Sequence, residues 1–146
     1  MDHQKVFSEH VRKHFAYLRK EFGFSIAEDQ YHKDKFLCVV TYQKKWRNVK
    51  LIWDLQDDRF HFRVYRALLR LYNVLEHDYF HIFALVKYHE PDFDISELSD
   101  ITYYLPDLQV FDQKIAHNAE LLRKYGSKIL DGEEWFVGRK LVPDVH

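Results

Sequence analysis

The stretch Lys35–Arg66, KFLCVVTYQKKWRNVKLIWDLQDDRFHFRVYR, decides the fold of this chain. It contains three runs of β-branched and aromatic residues, separated by two polar, charged breaks. Such runs are typical of strands, and polar breaks between them are typical of connecting loops. The stretch therefore predicts an antiparallel meander, which the rest of the chain must cover.

The three runs differ in how their apolar residues alternate. Phe36–Tyr42 is apolar in both alternations, which is typical of a central strand. Val49–Leu55 and Phe60–Val64 alternate apolar with polar residues, which predicts one buried face and one wetted face. The breaks Gln43–Asn48 and Gln56–Asp58 lack glycine, so both predict loops of three or more residues in place of two-residue primed turns.

The chain before the meander predicts a helix and an edge strand. Apolar residues recur every three or four positions from Gln4 to Phe22, which is the period of an amphipathic helix. Gly23 has the residue type that commonly ends a helix. Phe24–Tyr31 alternates and becomes polar and acidic in its second half, which is typical of an edge strand.

The chain after the meander favours helices. Ala67–Leu75 fits a helix or a strand equally well, whereas Asp78–Tyr88 predicts a helix that Pro91 ends. The clearest C-terminal helix is predicted from Pro106 to Gly126, with glycine as its end and a short further turn after it.

Together these patterns predict a single α+β domain over residues 1–146. About four antiparallel strands in one sheet follow an N-terminal helix, and C-terminal helices cover the sheet. Trp135 and Phe136, in the tail, are expected to dock against this core. A chain of 146 residues suits one hydrophobic core.

Composition limits the classes of function. The chain is 47% hydrophobic and 17% aromatic with a net charge of −1, so no overall charge attracts nucleic acid or membranes. No apolar run approaches the about 20 residues that span a bilayer, and the N-terminus lacks the apolar core of a signal peptide. The single cysteine, Cys38, cannot form an internal disulfide. We expect a cytoplasmic, bacterial-type protein without a membrane partner.

Histidine pairs offer two candidate metal sites. His10 and His14 have helical i, i+4 spacing, and His77 and His81 repeat it, with His89 further on. Two histidines one helical turn apart can share a metal ion. The first pair reads HVRKH, with Val11 and not glutamate directly after the first histidine, so the general base of an HExxH motif is missing; aromatic neighbours of the second pair favour histidines that border the core. We expect no metal and no cofactor, with a metal-dependent enzyme using the His77/His81 segment as an alternative.

No other pattern in the sequence indicates catalysis. The sequence contains no glycine-rich phosphate loop, GxSxG, CxxC or HExxH motif. Cys38 lies in an apolar run that is typical of an inert buried thiol. The sequence therefore predicts a protein that is not an enzyme.

A basic cluster offers an alternative function. Lys44, Lys45, Arg47 and Lys50 surround Trp46 at the first predicted hairpin. Basic residues with an interleaved aromatic can bind a phosphate backbone and stack a base. A solubilising hairpin tip accounts for the same residues. Nucleic acid is therefore not the expected partner, although a nucleic-acid-binding domain using the Lys44–Lys50 hairpin stays an alternative.

An acidic segment is the predicted partner-binding site. Its acidic residues, with no basic residue among them, are Glu90, Asp92, Asp94, Glu97 and Asp100. The segment does not match a calcium loop, because Glu97 stands where glycine is required and Tyr103 stands where glutamate is required. An exposed acidic loop can steer association with a basic protein.

The two ends of the chain carry a family resemblance. Residues 116–136, AHNAELLRKYGSKILDGEEWF, have the pattern of a helix followed by a short segment that ends in an aromatic residue. The residues that match the family pattern are Ala119, Leu121, Leu122, Tyr125, Ile129, Leu130, Gly132 and Phe136. Near the N-terminus the motif EFGF occupies residues 21–24. These features resemble small bacterial proteins similar to the immunity-type proteins encoded beside polymorphic toxins. Glu133 departs from the commoner aspartate, and the resemblance implies toxin binding without any catalytic residue.

These observations predict a non-enzymatic domain that binds another protein. An immunity-type inhibitor of a bacterial toxin is the specific form that the resemblance implies. Homodimerisation through aromatic surface is compatible with this prediction.

Overall fold

The protein is an α+β structure in which one sheet follows an N-terminal helix. The computed structural model describes residues 2–71, 74–99 and 108–144, and gives 67–71, 74–77, 97 and 99 by their backbone alone. The helices are α1 (His3–His14), α2 (Ala16–Lys20), α3 (Ile82–His89), α4 (Ser96–Ser99) and α5 (Leu108–Leu130). The strands are β1 (Ser25–His32), β2 (Leu37–Lys44), β3 (Arg47–Asp54), β4 (Arg59–Leu71), β5 (Val74–His81), β6 (Glu134–Val137) and β7 (Lys140–Pro143).

The sheet is an antiparallel meander of five strands in sequence order, β1-β2-β3-β4-β5. The α+β class and the antiparallel sheet are thus confirmed, with one strand more than the predicted four or so. The fifth strand, Val74–His81, includes the first four residues of the segment Asp78–Tyr88, and only the remainder of that segment is helical. The predicted helix is therefore wrong for residues 78–81. β6 and β7 form a separate hairpin.

Side chains alternate between two faces along every strand of the meander. The face toward the helices, here called the inner face, carries buried residues of the hydrophobic core: Cys38, Val40, Tyr42, Val49, Leu51, Trp53, Phe60, Phe62, Val64 and Phe80. The opposite positions form the outer face, defined by Thr41, Asn48, Lys50, Ile52, His61, Arg63, Tyr65, Tyr79 and His81. Helix α5 adds Phe111, Ile115 and Leu122 to the core.

The two meander loops differ from one another. β2 ends at Lys44 and β3 begins at Arg47, its cross-strand partner, so the first loop has only two residues. The predicted longer loop is wrong there, because Lys45 adopts a φ of 44° without being glycine. The second loop, residues 55–58, is longer as predicted, and the Asp54 carboxylate accepts backbone N–H bonds from the loop at 3.0 and 3.2 Å.

The predicted helix boundaries need two corrections. The N-terminal helix is interrupted at Phe15, where φ is −97° and ψ is 15°, and Gly23 beyond it has a φ of 74°. Gly126 does not end α5, because the helix continues to Leu130. A Cβ at Gly126 would lie 2.9 Å from Leu122 Cδ1 and 3.8 Å from Leu85 Cδ2. The Leu122 side chain of the same helix therefore occupies the space beside Gly126, whereas Leu85 of α3 would be at ordinary contact distance.

The C-terminal hairpin is fastened to the sheet by buried charges. Arg47 and Arg66 are cross-strand partners on the inner face, and Arg47 is only 4% exposed. A buried cation needs a counter-ion. The Asp144 carboxylate, just after β7, accepts hydrogen bonds from both guanidinium groups, at 2.9 Å from Arg66 Nη1.

Trp135 completes this arrangement. Its ring lies 4.7 Å from the guanidinium carbon of Arg47 and 5.0 Å from that of Arg66, which is cation–π geometry. Its indole N–H donates to Asp78 Oδ2 at 2.8 Å, and Asp78 also pairs with Arg66 at 3.1 Å. The predicted docking of the tail is confirmed, since Trp135 is fully buried. We call these residues the Arg–Asp network: Arg47, Arg66, Asp78, Trp135 and Asp144.

Within the described ranges, no helix is both long enough and apolar enough to cross a membrane.

Asp144 provides a test of the Arg–Asp network. Burial alone would raise the pKa of Asp144, but the hydrogen bonds and charges of Arg47 and Arg66 hold it below its ordinary value. A carboxylate with a lowered folded-state pKa stabilises the fold above its unfolded pKa of about 3.9, and this stabilisation is lost as the pH falls through the folded-state value. The Arg–Asp network therefore stabilises the protein fully at neutral pH.

We predict that Asp144→Asn lowers the free energy of unfolding at pH 7 by about 3–5 kcal/mol, because Arg47 then stays buried without its counter-charge. The difference from wild type should shrink as the pH falls below about 4. Chemical denaturation at several pH values measures both effects. Asp131→Asn, at an exposed position, is the matched control and should change stability by less than about 0.5 kcal/mol. Equal effects of the two substitutions would contradict the role of Asp144.

Candidate functional site

The outer face of the sheet carries aromatic and cationic side chains side by side. Tyr65 and Tyr79 are cross-strand partners with ring centres 5.4 Å apart. The Arg63 guanidinium lies 5.0 Å from the Tyr79 ring centre, and Tyr79 is 48% exposed. Tyrosine and arginine are enriched at protein interfaces because they offer large contact areas together with hydrogen bonds. This surface has the composition of a recognition surface.

A cavity of about 530 Å³ opens where this face meets the β3–β4 loop. We call it the end cavity, and its lining residues are Asp54, Asp57, Arg59, Phe60, His61, His81, Phe83 and Ile95. Phe60, Phe83 and Ile95 provide apolar surface, while the other residues provide charged or polar groups. An apolar hollow with a few polar groups is the usual form of a binding pocket.

The acidic segment adjoins the end cavity, because Ile95 directly follows Asp94 in the chain. Asp92 and Asp94 are exposed. Asp94 Oδ1 accepts hydrogen bonds from Ser96 N at 3.0 Å and Ser96 Oγ at 2.7 Å, and these bonds lower the pKa of Asp94. Two exposed carboxylates thus lie in the segment that leads into the cavity.

The other predicted partner-binding residues are placed differently. Glu90 is partly buried, and its Oε2 accepts a hydrogen bond from the Tyr125 hydroxyl at 2.6 Å. Glu90 therefore fastens the end of α3 to α5. Glu97 lies in α4, where only its backbone is described, and Asp100 lies outside the described residues. Of the five predicted residues, Asp92 and Asp94 are the described carboxylates that remain exposed.

The histidines of the end cavity are neutral at neutral pH. His61 and His81 lie on adjacent strands with ring centres 6.2 Å apart. Burial lowers the pKa of both imidazoles, and the charge of Arg63 lowers both further. The formal charges lining the cavity at neutral pH are then Asp54 and Asp57 against Arg59. Carboxylates thus outnumber cations among the lining residues, while the positive charge of Arg63 acts on the cavity from beside its two histidines.

The structure contradicts the geometry behind the His77/His81 metal site. Both residues belong to β5, where positions i and i+4 lie about 13 Å apart, instead of the about 6 Å found on a helix. The helical spacing that suggested a shared ion does not exist. His89 lies at the opposite end of α3, where its ring stacks on Tyr125 with centres 4.3 Å apart.

The basic hairpin does not form one patch. Arg47 belongs to the buried Arg–Asp network, and the Lys44 ammonium donates to the Leu130 carbonyl at 3.5 Å. Lys50 lies on the outer face, so Lys45 and Trp46 alone remain at the exposed turn. In the folded chain these basic residues therefore do not form the cluster that suggested a nucleic-acid site.

A second cavity, of about 650 Å³, lies between the first helices and the sheet. Its lining residues are Arg12, Ala16, Arg19, Lys20, Gly23, Phe24, Ile26 and Tyr42. Three cations line it, although Arg12 is already paired with Asp29. Burial raises the pKa of Tyr42 to about 12, so its hydroxyl stays protonated. This cavity can accept a small anion.

The sequence did not identify the end cavity. The alternation Arg59, His61, Arg63 was visible, but it indicated only a wetted strand face. His81 joins His61 because residues 78–81 are strand, and that segment was predicted as helix. Residues from three separate parts of the chain form the cavity, so no local motif marks it.

Titration of the two cavity histidines tests whether they lie in the buried, positively charged environment described above. We predict that His61 and His81 titrate below pH 6.5, and that Arg63→Gln raises both pKa values by removing a nearby positive charge. NMR titration of the imidazole Cε1–H resonances measures this. Midpoints at or above 6.5, or midpoints insensitive to Arg63, would show that the imidazoles lie in a different environment.

Comparison of the chain with family models, with curated proteins and with solved structures found no match. The resemblance of residues 116–136 to immunity-type proteins therefore stays an expectation from the sequence.

Proposed function

We propose that this protein is a non-enzymatic binding domain that docks a basic protein partner at the end cavity and the exposed acids beside it. The observation that carries this proposal is the position of Ile95. It lines the cavity and directly follows Asp94, so an apolar hollow and an acidic rim are joined in one surface. If the acidic and apolar regions lay apart, the inference that one partner contacts both would be much weaker.

The end cavity suits one inserted side chain of the partner. Phe83 and Ile95 offer apolar surface, and Asp57 lies exposed at the rim. An arginine or lysine fits such a site, because its aliphatic stem packs on the apolar surface while its charge stays near carboxylates. Anchors of this kind, in pockets near the centre of an interface, carry most of the binding energy.

The exposed carboxylates at the rim favour a basic partner. They are Asp57, Asp92 and Asp94. The nearby cations are Arg59 in the cavity lining, Arg63 beside the histidines and Lys87 near Asp94. Exposed charges at an interface rim mainly raise the association rate and set its salt dependence. Tyr65 and Tyr79, on the adjoining outer face, would then supply further contact area.

An inhibitor of the immunity type is the form of this function that the resemblance implies. Such a protein would cover the active site of a toxin, with its carboxylates against the toxin's basic residues. This form explains why a domain can act without catalytic residues of its own. It requires that the partner's activity is blocked in the complex and is restored when the complex dissociates.

The first prediction concerns association. A partner is isolated with tagged protein from native lysate, and its binding to the triple variant Asp57→Asn, Asp92→Asn, Asp94→Asn is measured by surface plasmon resonance at several salt concentrations. We expect the association rate at low salt to fall on the order of tenfold and its salt dependence to flatten. The dissociation rate should change little, because these carboxylates lie at the rim.

The matched control removes the same charge elsewhere. Glu120→Gln, Asp131→Asn and Glu133→Gln are exposed positions on or after α5, and together they change the net charge equally. This control should retain the salt dependence of wild type. If both triple variants lose association rate to the same extent, net charge and not the proposed surface controls binding. If neither does, the docking site lies elsewhere.

A further inference from the structure

Two histidines of α1 converge on an aspartate of α5. His10 and His14 lie one turn apart, and Asp112 lies in the first turns of α5. His10 Nδ1 and His14 Nε2 each lie 2.7 Å from the same Asp112 oxygen, Oδ1. The candidate ligand atoms of these three residues all lie within 4.8 Å of one another. The fold therefore adds a carboxylate, about 100 residues away, to a histidine pair that looked incomplete in the sequence.

We propose that His10, His14 and Asp112 bind one divalent transition-metal ion, with Zn²⁺ as the reference ion. Two imidazole nitrogens and one carboxylate oxygen form a ligand set that Zn²⁺ uses with three protein ligands and one water. The same set suits Co²⁺ and Ni²⁺, whereas Mg²⁺ and Ca²⁺ prefer oxygen ligands throughout. This site is separate from the end cavity and does not depend on the proposed docking function.

The present distances require only a small adjustment. Bonds of about 2.0–2.1 Å in a tetrahedral arrangement place neighbouring ligand atoms about 3.3 Å apart. Each of the two nitrogens now lies 2.7 Å from the carboxylate oxygen, so each must move about 0.6 Å further from that oxygen. A movement of this size requires only small rotations of the three side chains. The His10 ring already packs edge-on against Phe111, with centres 5.1 Å apart, which limits its orientation.

Access and charge are compatible with binding. The side chains of His10, His14 and Asp112 are 20%, 18% and 25% exposed, so an ion can reach them and keep a water ligand. Lys13 opposes binding, because its ammonium lies 3.5 Å from Asp112 Oδ1. Lys13 is 65% exposed, and its flexible side chain can move into solvent when a cation occupies the site.

A bound ion would link the first and last helices of the described chain. α1 and α5 contact one another directly, and both contribute to the core. A metal that binds the folded state and not the unfolded chain stabilises the fold by mass action. The proposal therefore implies a higher melting temperature for the metal-loaded protein.

The test uses untagged full-length protein that has been treated with a chelator and dialysed. Zn²⁺ binding is measured by isothermal titration calorimetry, and Co²⁺ binding is followed by visible absorption, which reports the coordination geometry directly. We expect one equivalent of each ion and a tetrahedral or five-coordinate Co²⁺ spectrum. His14→Ala and Asp112→Asn should each weaken Zn²⁺ binding by about 100-fold or more, because loss of a group that only supports a ligand already costs about 10- to 100-fold.

Another histidine pair provides the control. His61 and His81 are also close together, and His81→Ala disrupts that pair while leaving His10, His14 and Asp112 intact. This variant should bind Zn²⁺ as wild type does. Absence of stoichiometric binding by wild type would overturn the proposal whether or not the variants fold. Unchanged binding by His14→Ala, or loss of binding in His81→Ala, would overturn it as well.

Discussion

The two-residue alternation of side chains along β2–β5 is the constraint on which the rest of the structure depends. It turns Phe60, Phe62 and Phe80 toward the helices, and it turns the intervening residues outward. The helices must then cover the inner face, since large apolar rings cannot remain in water. His61 and His81 lie on the outer face for the same reason, so one constraint produces both the core and the candidate site.

One row of the inner face departs from this apolar pattern and explains the C-terminal hairpin. Arg47, Arg66 and Asp78 are successive cross-strand partners at inner-face positions. Charges there are costly to bury unless they are paired. Asp144 pairs with both arginines, and Trp135 donates a hydrogen bond to Asp78. The hairpin of β6 and β7 therefore supplies the partners that these charged side chains need.

The sequence predicted features that depend on local periodicity and missed those that depend on distant contacts. The α+β class, the meander and the docking of Trp135 follow from runs of apolar residues, and the structure has all three. Residues 78–81 were predicted as helix and are strand, because the apolar residues after Phe80 fit a helix and a strand alike. The convergence of Asp112 on His10 and His14 could not be predicted, because it depends on how α1 packs against α5.

The central functional claim is that a protein partner contacts the end cavity. A photo-crosslinking amino acid placed at Ile95, which lines the cavity, tests this claim in the native cell even when the partner has not been identified. The same amino acid at Val137, which is 48% exposed on the separate hairpin, is the comparison. We predict a single protein adduct from position 95 whose yield falls in the Asp57, Asp92 and Asp94 triple variant, with no such adduct from position 137. An adduct from position 137 alone, or from neither position, would contradict it.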